Sequence, residues 1–123
     1  MNIMPLRRLK TYAGSQGYVY QYYFVGKRAA LKDDPEEPAT EYIFDVTSDR
    51  KTTFAVSVFL RPEALKTWSA SRGRELSEPE QYAAAKLRLM QGFDEIVDML
   101  HEGRRLRLEA EALVSLLESI GVD

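Results

Sequence analysis

The period of the hydrophobic pattern changes once along this chain, after Leu60, and that change calls for strands first and helices second. Before it, apolar residues alternate. Residues 41–47 put Tyr42, Phe44 and Val46 on one face, and residues 52–60 put Phe54, Val56, Val58 and Leu60 on one face of the next strand. Ser48, Asp49, Arg50 and Lys51 between them are short and polar enough for a tight hairpin. Residues 17–26, bracketed by Gly17 and Gly26, are β-branched or aromatic apart from Gln21 and form the clearest strand. Residues 6–13 read as its partner across the turn at residues 14–17. The stretch from 27 to 40, with Pro35, Pro38 and four acids between positions 33 and 37, reads as a solvated, mobile loop.

After Leu60 the spacing is helical. Pro62 and Glu63 suit a first helical turn, and the segment runs through Trp68 to a stop at Gly73. A second helix starts at Ser77, with Pro79 in its first turn and Glu80 three residues on as a capping box requires. Its stripe is Tyr82, Ala85, Leu89, Phe93, Ile96, Val97 and Leu100. A third helical stretch is expected from Arg104 to Ile120, carrying Leu106, Ala110, Leu113, Leu117 and Ile120. Either Gly103 breaks this region into a helical hairpin, or residues 78–120 form one helix of roughly 60 Å. Gly92 and Gly103 interrupt the heptad rows of the second option, and the break is the preferred geometry.

The expectation is therefore an α+β fold: a three- or four-stranded antiparallel β-meander (6–60) followed by two or three C-terminal helices (62–120) packed on the sheet, in one domain spanning 1–123. At 123 residues a core needs no disulfide or metal. The apolar face of the last helical stretch exceeds what a short terminal helix needs, which points to a homodimer or a protein partner through Leu106, Leu113, Leu117 and Ile120.

Composition removes several chemistries. There is no cysteine, so no thiol nucleophile, Cys-zinc site or iron-sulfur cluster is available, and the single histidine, His101, excludes a multi-histidine metal site within one chain. No metal or cofactor is expected. No apolar run is long enough to span a bilayer and the first residues lack a signal-peptide pattern, so no membrane role and a cytoplasmic setting are expected. Tyr82 and Lys86 match the Tyr-x-x-x-Lys spacing by which short-chain dehydrogenases lower a tyrosine pKa, but no Gly-rich turn leads from a strand into a helix. The match reads as chance, and no catalytic residue is assigned.

The formal net charge of −2 conceals segregation: residues 1–32 carry six bases and no acid, and residues 33–49 seven acids and no base. The simpler reading is that neighbouring elements complement one another in charge. Five of the seven tyrosines fall between positions 12 and 23, in the acid-free block. Tyr18, Tyr20, Tyr22 and Phe24 share a strand face near Arg7, Arg8, Lys10, Lys27 and Arg28. Were that face exposed, it would make a platform for stacking bases and tracking phosphates. Were it core, the rings would bury area beneath the helices, which is the preferred reading. The functional expectation is a noncatalytic cytoplasmic interaction or regulatory module. RNA or single-stranded DNA binding through strand 17–26 is the alternative.

Overall fold

The computed structural model describes residues 9–30 and 39–123. Four strands follow one another as an antiparallel meander, β1 (Lys10–Ala13), β2 (Val19–Ala30), β3 (Ala39–Thr47) and β4 (Phe54–Leu60). Helices α1 (Pro62–Arg72), α2 (Glu78–Glu95) and α3 (Met99–Glu102) then lead to β5 (Arg105–Leu108), and α4 (Ala110–Glu118) closes the chain. The sheet order is β1-β2-β3-β4-β5, with β5 parallel to β4. The class is α+β, but the sheet is mixed and has five strands instead of an antiparallel three or four.

The correction falls on residues 104–108, expected to be helical. Arg105, Leu106, Arg107 and Leu108 alternate exposed and buried, the period of a strand, and β4 leaves an edge free to pair with them. Neither expected geometry for 78–120 holds. Helix α2 ends at Glu95 because Ile96 turns extended, and Asp98 then caps the single turn of α3 by accepting from His101 N at 3.2 Å. Both heptad-breaking glycines mark close approaches. A Cβ on Gly92 would stand 3.0 Å from Leu106 Cδ1, and one on Gly103 would collide with the Met99 side chain. The loop expected over 27–40 is also shorter, since Ala30 pairs with Ala39; residues 31–38, with their acidic run, lie outside the described residues.

The core cluster draws on one face of the sheet only. Tyr20, Tyr22, Tyr42, Phe44, Val46, Val56, Val58, Leu60, Leu106 and Leu108 meet Ala64, Trp68, Ala85, Leu89, Phe93, Leu113 and Leu117 from the helices. Leu106, Leu113 and Leu117 are at most 3% exposed and contribute to this core, so they cannot form the outward contact face expected of them; Ile120, 49% exposed, is the one that remains outside. The excess apolar surface read from the sequence is covered by the chain's own sheet and helices.

Polar contacts fix the ends of elements. Asp94, at the end of α2, accepts from the Tyr12 hydroxyl at 2.7 Å and from Ser15 N at 2.9 Å, which docks the β1–β2 turn on the helix. In the β3–β4 hairpin Asp49 Oδ1 accepts from Lys51 N and Thr52 N, each at 2.8 Å. Charge blocks are joined as well: Lys27 pairs with Glu78, Arg28 with Glu41, Arg72 with Glu118 and Arg74 with Glu80.

The capping box at α2 is complete. Ser77 Oγ accepts from Glu80 N, and Glu80 Oε1 accepts from Ser77 N at 2.9 Å. Ser77→Ala is expected to cost about 1 kcal/mol in urea denaturation, the usual worth of an N-cap. Arg74 donates to both Glu80 oxygens and, with Ser77 N, brings the Glu80 carboxyl down to about 2 from 4.5. The fold prefers the ionised form, so this stabilisation is complete above about pH 4.5 and fades as pH falls through about 2. Glu80→Gln should flatten the stability profile between those two pH values.

Candidate functional site

The core helices all pack on one face of the sheet, and among the described residues no helix lies over the other, the open face. Its described residues are mostly half-buried or exposed, with Val19 53% and Val25 41% exposed, while Ala39, Glu41 and Phe59 are buried. Strand register sets its pattern. Arg28, Glu41, Phe59 and Arg107 stand side by side across β2, β3, β4 and β5, and Gly26, Ile43, Ser57 and Arg105 form the adjoining row. A bulge between Phe24 and Gly26 keeps Arg28 opposite Glu41.

Glu41 is the one buried charged residue among those described. Its Oε1 accepts from Arg28 Nε at 2.9 Å and its Oε2 from Ser57 Oγ at 2.6 Å. Burial pushes its carboxyl up, but the hydrogen bonds from Arg28 and Ser57 and the charges of Arg28 and Arg105 outweigh burial and hold it below its ordinary value. The Arg105 guanidinium lies 4.6 Å from the centre of the Phe59 ring. Farther along the face, Tyr23 donates to Asp45 Oδ2 at 2.6 Å, beside a shallow cleft of about 290 Å³ that includes Leu9, Gln21 and Arg50. Both carboxylates of the face are thus already hydrogen-bonded, and its small residues, Gly26, Ala55 and Ser57, leave the middle low.

The outer edge of β5 is guarded. The strand is four residues long, it displays Arg105 and Arg107, and Arg88 of α2 donates Nε to the Arg107 carbonyl at 2.8 Å. Short length, cations and an occupied carbonyl all discourage strand addition there.

The residues expected to bind nucleic acid are not brought together. Arg7 and Arg8 lie outside the described residues. Tyr20 and Tyr22 are 2% and 3% exposed beneath Phe93, so they cannot offer ring faces to bases. Tyr18 is exposed, beside a groove of about 430 Å³ lined also by Val97, Asp98 and Leu100. Lys10 is half-buried on β1 opposite Tyr22. Lys27 and Arg28 point to opposite sides of β2: Lys27 meets Glu78 at 3.2 Å over the helices, and Arg28 meets Glu41 on the open face. Of the described members of the set, only Arg28 belongs to the open face.

Tyr82 turns its ring into an aromatic cluster, 4.9 Å from Phe24 and 6.3 Å from Phe44. Burial raises its pKa, the opposite of what a proton-transferring tyrosine needs. Among the described residues no group of three or more His, Asp or Glu side chains could hold a metal ion, and no helix is long and apolar enough to cross a membrane.

Protein-family models, curated proteins and solved structures were compared with the chain. None matches. The functional reading therefore rests on the geometry of this chain alone.

Proposed function

We propose that the protein is a noncatalytic interaction module whose partner, another protein, docks on the helix-free face of the sheet. The supporting observation is the exposure of aliphatic side chains, Val19 and Val25, on a face whose middle is kept low by Gly26, Ala55 and Ser57. Exposed aliphatic groups on a flat surface gain by being covered, and low side chains let an opposing backbone come close. The reading keeps the cytoplasmic setting and regulatory role expected from the sequence, and moves the contact surface from α4, whose Leu113 and Leu117 are buried, to the sheet.

The alternative, RNA or single-stranded DNA, has less behind it. Among the four rings of its expected platform only Tyr18 and Phe24 reach the surface, and the open face carries the carboxylates Glu41 and Asp45. Photocrosslinking distinguishes the two. With p-benzoylphenylalanine at Val19 or Val25, the protein in its native cells should form a discrete, ribonuclease-resistant adduct with a second protein. The same probe at Glu111, on the exposed side of α4, should not. Adducts lost on ribonuclease treatment would favour the nucleic-acid reading, and equal adducts from Glu111 would remove the open face from consideration.

A further inference from the structure

We infer that the segment docking on the open face is acidic, with carboxylates spaced to reach both ends of the Arg28–Glu41–Phe59–Arg107 row; this rests on the proposed role of that face. Three arginines, Arg28, Arg105 and Arg107, border the two rows, and the carboxylates between them are already committed, Glu41 to Arg28 and Ser57, Asp45 to Tyr23. On this side the described strands carry Arg28, Arg105 and Arg107 against Glu41 and Asp45, and the β3–β4 hairpin adds Arg50 and Lys51 against Asp49, so the described layer presented to a partner is positive. A partner of the same sign would be repelled, and guanidinium groups prefer carboxylate oxygens in paired geometry.

The spacing follows from the register. Arg28 on β2 and Arg107 on β5 are three strands apart, about 14 Å, which an extended segment crosses in roughly four residues. The residues between face Glu41 and the buried Phe59, so an acid there would meet Glu41, while small or apolar residues would lie over Gly26, Ile43 and Ser57. The pattern that fits is an acid, two or three small or apolar residues, and another acid. A second copy docked face to face would oppose Arg28, Arg105 and Arg107 with the same three arginines. A nucleic acid would bring phosphates over Glu41 and Asp45 and find Phe59 buried.

The test uses the full chain and a sixteen-residue peptide carrying glutamate at every fourth position with valine or serine between. Titration followed by amide chemical shifts should move signals of residues 26–28, 41–43, 57–59 and 105–107, with affinity falling sharply as salt rises. Arg107→Glu should weaken binding roughly tenfold while leaving the thermal midpoint close to that of the parent chain, and Arg28→Glu should weaken it similarly with a lower midpoint, because buried Glu41 loses its partner. Lys86→Glu, a matched reversal on α2, should not weaken it. Because either reversal suffices, an unfolded variant leaves the other to decide.

Equal weakening by Lys86→Glu, stronger binding of the lysine version of the peptide, stronger binding of a twelve-nucleotide oligouridylate, or shifts on this face that appear only with rising protein concentration would each overturn the inference. So would an affinity that rises when Asp33, Asp34, Glu36 and Glu37 are neutralised, which would assign the arginines to the chain's own acidic run. If the peptide fails while Val19 and Val25 still crosslink to a protein, the acidic chemistry is wrong and the docking face stands. If both fail, the two fall together.

Discussion

Truncating Leu108 to alanine is expected to lower the unfolding free energy by about 2–5 kcal/mol, the range for deleting a fully buried leucine without collapse of the site. Leu108 is fully buried at the end of β5, opposite Leu60, where α2 packs over β4 and β5 and α4 packs against α2. Trp68, itself fully buried, reports the transition by fluorescence in a urea titration. Arg107→Ala, one position earlier on the exposed side of the strand, should change stability by no more than about 0.5 kcal/mol. This contrast of neighbours is the signature of a strand. A helix over 104–108 seeking an outside partner would make the loss depend on protein concentration instead, and a Leu108→Ala chain as stable as its parent would refute the β5 register.

Phe93→Ala is expected to cost a further large amount, about 3–5 kcal/mol, with Tyr20→Ala similar in size. The Phe93 and Tyr20 rings stack with centroids 4.2 Å apart and planes inclined by 7°, and Phe93 also meets Tyr12 at 5.8 Å and Tyr22 at 5.9 Å. Because the two rings share one contact, the double variant should lose less than the sum of the singles by about 0.5–1.5 kcal/mol. Ultraviolet titration gives an independent check. Burial, helped by the charges of Tyr82 and Tyr12, pushes the Tyr22 hydroxyl up to about 12, and burial also raises Tyr20. While the protein is folded the Tyr22 phenol should stay protonated to about 12, and that of Tyr20 above the ordinary value of 10. A Tyr20→Ala chain of unchanged stability would return the tyrosines to the surface and reopen the base-stacking platform.

Where the local pattern and the burial direction agree, the sequence was legible. The alternation of residues 42, 44 and 46 against 54, 56, 58 and 60 foretells both core faces, and Ser77 with Glu80 foretells the start of α2. Residues 104–108 show the opposite case. Leu106 fits a helical stripe with Ala110, Leu113 and Leu117, yet Arg105 to Leu108 also alternate strictly, and four residues cannot decide between the two periods. The free edge of β4 decides. The open face was partly legible for the same reason: once the even-numbered residues of β3 and β4 are core, Glu41, Asp45, Ser57 and Phe59 must point the other way. What no strand reveals by itself is that Arg107, distant in sequence, joins Arg28 in one row, because that requires β5 to pair beside β4.

The amino-acid sequence by itself determined the class, the meander of strands ahead of the first helix, the β3–β4 hairpin, though its connection runs over 48–53 and not 48–51, the capped start of α2 and the absence of thiol chemistry, since each follows from local period or composition. Tertiary structure alone decided which side of the tyrosine strand is inside, that the last apolar segment completes the core, and that the basic residues divide between two faces. These outcomes depend on contacts between residues far apart in the chain. A side chain's fate there is set by what covers it, and for Leu106, Tyr20 and Arg28 that covering comes from β4 and the helices, from Phe93, and from no described helix.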